Sequence, residues 1–129
     1  MKRILVVEDD NSLSVLLRLI MKVQQEDWDV SSAATGVEAL SQVEKFHPDL
    51  ILLDIMMPEM DGLEVARRLH ADERYKDQKI VILSALSDAD TQRKAKEAGV
   101  LEYWTKPISP DELREGMLRV LGNEVGDLL

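Results

Sequence analysis

The sequence predicts an α/β domain in which a doubly wound, five-stranded parallel sheet is covered by helices on both faces. Two observations carry this prediction. Continuous aliphatic runs such as Ile4–Val7, Leu50–Leu53 and Ile80–Leu83 are too short for helices and rich in β-branched residues, which is typical of strands buried on both faces. Between these runs, apolar residues recur at helical spacing. Strands that alternate with helices favour parallel pairing through right-handed crossovers.

Two of the five strands have weaker signals than the others. Val30–Ala34 follows Trp28 and is only partly apolar, and Tyr103–Thr105 is short and aromatic. Each still lies between two helical patterns. We therefore predict a strand at both places, which completes five β–α units in about 122 residues.

Amphipathic stripes predict the five helices. The residues expected to face the core in the first three are Leu13, Leu16, Leu17, Ile20 and Met21, then Val37, Leu40, Val43 and Phe46, then Leu63, Ala66 and Leu69. The fourth segment, Asp88–Ala98, offers only alanines such as Ala95 to a core. The fifth helix begins with Pro110 after the favoured N-cap residue Ser109, and Gly122 provides a stop.

Composition excludes several classes of protein. The chain has 129 residues, 25 acidic and 16 basic, and a formal net charge of -9, which argues against direct binding to nucleic acid or an anionic membrane. There is no cysteine, so disulfides, thiolate metal sites and a cysteine nucleophile are excluded. No apolar run approaches the roughly 20 residues of a membrane helix. We expect one cytoplasmic domain, residues 1–122, followed by a tail, residues 123–129.

Polar side chains follow four of the predicted strands. They are Glu8, Asp9 and Asp10 after the first strand, Asp54 after the third, Ser84 after the fourth and Lys106 after the fifth. The carboxyl ends of parallel strands share one edge of a sheet, so these side chains should lie close together.

The charges at this edge suggest a metal and a reaction. Glu8, Asp9 and Asp54 carry three negative charges and Lys106 carries one positive charge. A divalent cation would neutralise the two negative charges that are left. Carboxylates without histidine or cysteine favour Mg²⁺. The sequence therefore predicts Mg²⁺-dependent phosphoryl transfer, in which Asp54 is the nucleophile and Lys106 and Ser84 stabilise the phosphoryl oxygens.

Four motifs in register carry a family resemblance. The segments Val6–Asp10, Leu53–Gly62, Leu83–Ala85 and Thr105–Pro107 resemble the receiver domain of two-component response regulators, of the chemotaxis-regulator type. The resemblance covers residues 2 to about 122. It implies the strand order 2-1-3-4-5 and a phosphorylation-controlled switch that is a signalling domain rather than an enzyme acting on a separate substrate.

The resemblance also implies a role for each residue at the edge. Asp54 resembles the phosphoacceptor. Glu8, Asp9 and Asp54, with the backbone carbonyl of Met56, match the positions that hold Mg²⁺. Lys106 matches the lysine that contacts the transferred phosphoryl group.

The remaining implications concern the switch and its partners. Ser84 and Tyr103 match two switch positions, and the resemblance implies a cis bond between Lys106 and Pro107. The phosphoryl donor would be a sensor histidine kinase or a histidine phosphotransfer protein. The signal would leave through the face made by the fourth helix, fifth strand and fifth helix. It would reach a downstream protein or an attached output domain, with phosphorylation-dependent dimerisation as a further implied outcome.

Three alternatives remain open at this point. A flavodoxin-type electron carrier would share the fold, but the acids after the first strand would repel a cofactor phosphate. A degenerate receiver could act as a constitutive interaction module. A Mg²⁺ phosphatase with an aspartyl nucleophile would need a second aspartate two residues after Asp54, where Met56 stands.

Four other residues receive structural interpretations. Asp10 is expected to support the start of the first helix as an N-cap or a dipole partner. Trp104 is expected to fill the core beside an edge strand. His47 and His70 are expected to lie at helix ends, away from the polar edge and in contact with solvent.

Overall fold

The computed structural model describes residues 1–122, so the predicted tail, residues 123–129, lies outside the described residues. The elements in chain order are β1 (Lys2–Val7), α1 (Ser12–Gln24), β2 (Trp28–Ala33), α2 (Gly36–Phe46), β3 (Leu50–Leu53), α3 (Gly62–Ala71), a 3-10 turn (Glu73–Tyr75), β4 (Ile80–Ser84), α4 (Ala89–Glu97), β5 (Glu102–Thr105) and α5 (Pro110–Leu121). Within residues 1–122, β and α elements therefore alternate five times, as the sequence predicts.

The sheet has the order β2-β1-β3-β4-β5, and every pairing in the described chain is parallel. This confirms the predicted doubly wound fold and its strand order. All four residues of β3 are buried, because the central strand is covered on both faces. Carboxyl ends of β1, β3, β4 and β5 meet at one edge of the sheet, which we call the polar edge.

Each face of the sheet has its own core. Alternate residues of β1 divide between them: Leu5 packs with α2, α3 and α4, whereas Ile4 packs with α1 and α5. Trp104 on β5 belongs to the second core, as predicted, and lies against Gly116 of α5. Strand residues are therefore apolar on both sides, which is the pattern that the continuous aliphatic runs indicate.

Two details of the predicted elements are wrong. Strand β2 begins at Trp28 and ends at Ala33, since Lys2 of β1 pairs with Trp28 and draws the preceding residues into the ladder. Val37 is 62% exposed. Ala39 is buried in α2 instead, so the apolar stripe of this helix is rotated relative to the predicted one.

Helix α4 has the weak apolar anchorage that the sequence predicts. Within Ala89–Glu97 the one buried side chain is Ala95, and Ala98 is buried just beyond the helix. Helix α5 has the predicted beginning, with Pro110 in the first turn. There Ser109 and Glu112 form a reciprocal capping box. The two helices thus flank β5 with unequal anchorage.

Candidate functional site

The polar edge is held in place by hydrogen bonds that continue the sheet beyond the strands. The amide of Glu8 donates to Ala33 O at 3.1 Å and that of Asp54 to Val7 O at 3.0 Å. The amide of Lys106 donates to Ser84 O at 2.8 Å. Each candidate side chain therefore starts from a backbone position fixed by its neighbouring strand.

Asp54 and Lys106 form the centre of this edge. Lys106 Nζ lies 3.3 Å from Asp54 Oδ2, and Asp54 Oδ1 accepts a hydrogen bond from the Met56 amide at 3.2 Å. The side chain of Asp54 is 13% exposed and that of Lys106 is 30% exposed. The carboxylate is thus oriented by two donors and still reaches the surface.

Gly62 brings the start of α3 against Asp54. A Cβ atom at Gly62 would lie 2.2 Å from the Asp54 carbonyl oxygen, so the close approach requires glycine at this position. The Gly62 amide donates to Ile55 O at 3.1 Å. Helix α3 and the loop after β3 are therefore packed backbone to backbone beside the carboxylate.

Glu8 is a buried carboxyl group with one unpartnered oxygen. Its Oε1 accepts a hydrogen bond from the Leu13 amide at 2.8 Å, whereas Oε2 has no partner among the described residues. Burial raises the pKa of Glu8 to about 7, and the Leu13 hydrogen bond opposes part of this rise. The neighbouring Asp10 raises it further. Glu8 therefore also supports the start of α1, as an acidic residue directly after a strand commonly does.

The two acids that follow Glu8 are both exposed but differ in their hydrogen bonds. Asp9 is exposed. Asp10 accepts hydrogen bonds at Oδ1 from the Ser12 amide at 2.8 Å and the Ser12 hydroxyl at 2.7 Å, and these bonds lower the pKa of Asp10. Asn11 occupies the N-cap position and makes no side-chain cap. Asp10 therefore supports the beginning of α1 from the residue before the cap.

The residues of the polar edge supply the kind of donor atoms that a hard divalent cation binds. No three carboxylate or imidazole groups within residues 1–122 are gathered around one point as ligands of a metal ion. However, the unpartnered Oε2 of Glu8 is a buried acceptor, and Asp9 and Asp54 add carboxylate oxygens nearby in the fold. A donor set made only of oxygen favours Mg²⁺ over softer metals.

Ser84 and Tyr103 are linked through the loop after β4. Ser84 is buried, and its Oγ accepts from the Leu86 amide at 3.3 Å. The hydroxyl of Tyr103 donates to Leu86 O at 2.6 Å, and burial raises the pKa of this phenol. The tyrosine is therefore held in a partly buried position through the same residue that contacts Ser84.

Two further predictions concern Met56 and the peptide bond after Lys106. Met56 is 57% exposed, so its side chain lies open beside the site while its amide binds Asp54. The peptide bond between Lys106 and Pro107 is cis. The edge therefore brings together Asp54, Lys106 and the Met56 backbone in direct contact. Glu8 and Ser84 are buried close by, at the carboxyl ends of β1 and β4.

One prediction about the surroundings is wrong. His70 is not a solvent-exposed residue: Nδ1 lies 2.7 Å from Ala98 O and Nε2 lies 2.9 Å from Gln78 O. The end of α3 packs against the loops that follow α4 and precede β4, and these loops supply the carbonyls. His47, in contrast, is exposed as predicted, at the C-cap of α2.

A five-stranded parallel sheet whose polar edge carries an aspartate paired with a lysine defines an α/β domain with its candidate site at the carboxyl ends of the strands. Comparisons with known proteins agree with this class. The profile of the response regulator receiver domain matches residues 4–117. The chain belongs to the response regulator receiver domain family.

Relatives of this chain include short and long proteins. Sporulation initiation phosphotransferase F of Bacillus subtilis is 34% identical over 121 residues, which cover 93% of this chain and 94% of that protein. The DNA-binding response regulator MtrA of Mycobacterium tuberculosis is 39% identical over 112 residues, 87% of this chain but 47% of that protein. The chain thus spans about half the length of several relatives that it matches.

Solved structures show the same fold. A CheY-like receiver domain protein from Methanospirillum hungatei superposes with a TM-score of 0.84 at 27% identity, over 98% of both chains. Chemotaxis protein CheY4 of Vibrio cholerae superposes with a TM-score of 0.79 at 29% identity, over 93% of this chain and 98% of that one.

Membership in the family establishes the general role. Receiver domains are phosphorylation-controlled switches of two-component signalling, and histidine kinases are the partners of response regulators. This separates the chain from the electron carriers and phosphatases that share its fold class. In the described part of the chain, no helix is long and apolar enough to cross a membrane.

Proposed function

We propose that this domain accepts a phosphoryl group on Asp54 from a phosphohistidine of a partner protein and signals by rearranging the surface around α4, β5 and α5. The observation that carries the proposal is the geometry of Asp54. Its carboxylate reaches the surface at the end of β3 and is oriented by Lys106 and the Met56 amide. A carboxylate so placed is accessible to a donor and oriented in advance.

The transfer is a single displacement at phosphorus. An Asp54 carboxylate oxygen forms a bond to phosphorus while the phosphorus–nitrogen bond of the donor breaks, and its electron pair stays on the imidazole nitrogen. Lys106 offers a positive charge to the phosphoryl oxygens in the transition state. The ion pair between Lys106 and Asp54 thereby becomes a contact between Lys106 and the transferred group.

The residues proposed to hold Mg²⁺ are Glu8, Asp9, Asp54 and the backbone carbonyl of Met56. A bound Mg²⁺ neutralises charge on the phosphoryl oxygens. Support comes from the all-oxygen donor set and from the buried, unpartnered Oε2 of Glu8. The raised pKa of Glu8 means that cation binding and loss of the Glu8 proton are coupled.

The proposed switch starts at Ser84. Its buried hydroxyl lies at the end of β4 and already shares Leu86 with Tyr103. When Ser84 turns to donate to a phosphoryl oxygen, the Leu86 loop moves, and with it the acceptor of the Tyr103 hydroxyl. Helix α4 follows easily because Ala95 is the one side chain that Ala89–Glu97 buries.

The donor surface is proposed to run from the polar edge along α1. A cavity of about 410 Å³ beside Lys106 is lined mainly by apolar side chains of α1 and of the loops after β4 and β5. Leu16 lines both this cavity and a second one of about 240 Å³ between α1 and α5. Val15, Leu19 and Val23 of α1 are also exposed. A partner that covers this continuous apolar surface would bring its phosphohistidine to Asp54.

Two further parts of the proposal concern cellular context. We place the domain in the cytoplasm, and its output in a downstream protein, an attached output domain or a phosphorylation-dependent dimer. MtrA, a relative about twice as long, is named as a DNA-binding regulator, so DNA contact through a separate domain is compatible with the acidic surface of this one.

Phosphorylation of Asp54 is tested with acetyl phosphate and Mg²⁺. Wild type should gain the mass of one phosphoryl group, and Asp54→Asn should gain none. Asp61→Asn is the matched control, because asparagine also caps a helix and the Asp61 side chain accepts its hydrogen bond from the Glu64 amide of α3. The label should resist acid and be lost in alkali, as an acyl phosphate is.

Two outcomes would contradict the assignment. Equal labelling of Asp54→Asn and wild type would place the acceptor elsewhere. An unlabelled wild type, tested with acetyl phosphate and with a histidine-phosphorylated donor, would indicate a constitutive interaction module instead of a switch.

A further inference from the structure

His70 joins three segments that are far apart in the chain. It lies in the last turn of α3, its Nδ1 is 2.7 Å from Ala98 O at the end of α4, and its Nε2 is 2.9 Å from Gln78 O before β4. Gly99 has a φ of +89°, and a Cβ there would lie 2.6 Å from His70 Nδ1. The backbone at the end of α4 therefore lies directly against the ring.

The two carbonyl oxygens beside His70 favour one protonation state of its ring. A neutral imidazole has one N–H donor and one acceptor nitrogen, whereas the imidazolium has two donors. Both partners of His70 are carbonyl oxygens, so the doubly protonated ring satisfies both contacts and a neutral ring satisfies one. The C-terminal ends of α3 and α4 also meet here, and helix C-termini favour a positive charge.

Charged side chains on the surrounding elements are engaged with one another. The pairs are Arg67 and Arg68 with Glu64 on α3, Arg74 with Asp72 and Lys76 with Glu73 around the 3-10 turn, and Lys94 with Asp90 and Arg93 with Glu97 on α4. Lys79 donates to Val120 O. The other charged residues of these segments are Asp77 and Lys96. Neither is hydrogen-bonded to the His70 ring within residues 1–122.

We propose that the imidazolium form of His70 clasps the end of α4 to α3, and that loss of one ring proton opens this clasp. Of the two carbonyls, Gln78 is the better anchored. Its amide donates to Tyr75 O and its side-chain amide to Pro48 O. Ala98 and Gly99 are bonded to α4 itself, through Lys94 O and Lys96 O. The chain after Ala98 is first bonded to the sheet at Leu101, whose amide donates to Ile80 O at 2.7 Å, so we take the α4 contact as the one that opens.

The clasp is a property of the unphosphorylated chain, and only its effect on signalling rests on the proposed function. Within Ala89–Glu97 helix α4 buries only Ala95, so the His70 hydrogen bond adds to a small set of contacts at its end, namely buried Ala98 and the Leu101 amide that donates to Ile80 O. An open clasp at higher pH would favour the rearranged position of α4. Failure of Asp54 to accept a phosphoryl group would leave the clasp itself unaffected.

Amide hydrogen exchange on the whole chain, without phosphodonor, tests the clasp at pH 6 and pH 8, on either side of the ordinary titration range of histidine. The amides to follow are Gly99 and Val100, which donate to Lys96 O and Ala95 O. After correction for intrinsic exchange, protection should fall about fivefold from pH 6 to pH 8, as loss of one hydrogen bond predicts. His70→Asn should abolish this difference, and His47→Asn, which alters the exposed histidine, should retain it.

A second measurement does not depend on a variant. Nitrogen-15 spectra of the two histidine rings should show both His70 nitrogens protonated at pH 6, and one of them deprotonated once the Gly99 amide loses protection. Equal corrected protection at pH 6 and pH 8 would overturn the proposal. So would a neutral His70 ring at pH 6, or a pH difference that survives in His70→Asn.

Discussion

At the scale of single residues, the polar edge combines two carboxyl groups that lie in opposite environments. Asp54 reaches the surface beside Lys106, whereas Glu8 is buried and has a raised pKa. The contrast arises from position: Asp54 lies beyond the end of β3 with a cation beside it, and Glu8 lies under the start of α1. A carboxyl group in the second environment is stabilised in its protonated form.

Glu8 should make the stability of the metal-free protein fall as pH rises. Its pKa is about 7 in the folded chain and about 4.5 when unfolded, so the folded state binds more protons between these values. The contribution is fully present below pH 4.5 and is lost as pH rises through 7, a change of about 3 kcal/mol.

Urea unfolding in EDTA between pH 5 and pH 8.5 measures this change. Glu8→Gln keeps the acceptor for the Leu13 amide and removes the titration, so its stability should decline less over the same range. A decline of equal size in both proteins would show that Glu8 is not responsible.

Asp54 should account for much of the stabilisation by Mg²⁺. A ligand that binds only the folded state stabilises by RT ln(1 + [L]/Kd), about 2.7 kcal/mol at a hundredfold excess over Kd. Asp54→Asn removes a proposed metal ligand, so saturating Mg²⁺ should raise its Tm less than that of wild type. Thermal melts with EDTA and with Mg²⁺ provide the comparison, and Asp61→Asn should keep the full shift. An undiminished shift in Asp54→Asn would remove Asp54 from the metal site.

At the scale of elements, the site depends on how closely helices approach the ends of strands. Helices α2 and α3 both begin with a glycine after a capping side chain, Thr35 or Asp61. The two glycines are not equivalent. Gly36 faces the side chains of Met60 and Val65, whereas Gly62 faces the backbone of Asp54.

Gly62→Ala should therefore damage both stability and phosphorylation. Its Cβ would lie 2.2 Å from the Asp54 carbonyl oxygen. The backbone of Asp54 cannot make room without also moving the Asp54 side chain. We expect a loss of about 1–3 kcal/mol, as for overpacked positions, and slower labelling by acetyl phosphate.

Gly36→Ala is the matched control at the same position of α2. Its Cβ would meet side-chain atoms at 3.0 Å, which adjust more readily than backbone, so the loss in unfolding free energy should be smaller and labelling should stay normal. Equal effects of the two substitutions on labelling would contradict the close approach of α3 to Asp54.

At the scale of the whole molecule, stability is distributed unevenly between the sheet and α4. The residues of β1, β3 and β4 form the centre of both cores, whereas α4 contributes Ala95. A fold built this way can move α4 without unfolding the sheet. The uneven distribution is what a switch of the proposed kind requires.

Native-state hydrogen exchange should reveal this distribution. Amides of Leu50–Leu53 should exchange only through global unfolding, and amides of Ala89–Glu97 should exchange through local opening with a smaller free energy. Small additions of denaturant separate the two, because local opening exposes little surface and depends weakly on denaturant. Equally strong denaturant dependence in α4 and β3 would contradict a mobile α4.

The sequence by itself determined the alternation of strands and helices, the strand that carries Asp54 and the set of polar residues at the edge. These features depend on local periodicity and on the rule that parallel strands end at one edge. A continuous aliphatic run has few alternatives to a buried strand. The weak anchorage of α4 was also visible, since alanines at Ala95 and Ala98 can bury little surface.

Only the tertiary structure decided the features that depend on contacts between distant segments. Examples are the exposure of Val37, the hydrogen bond from Leu13 to Glu8, the approach of Gly62 to Asp54 and the two carbonyls around His70. Periodicity shows which residues share a helix face, but the rotation of that helix is set by packing against the sheet. Hydrogen-bond partners of a polar side chain are set by whichever backbone groups the fold leaves unpaired beside it.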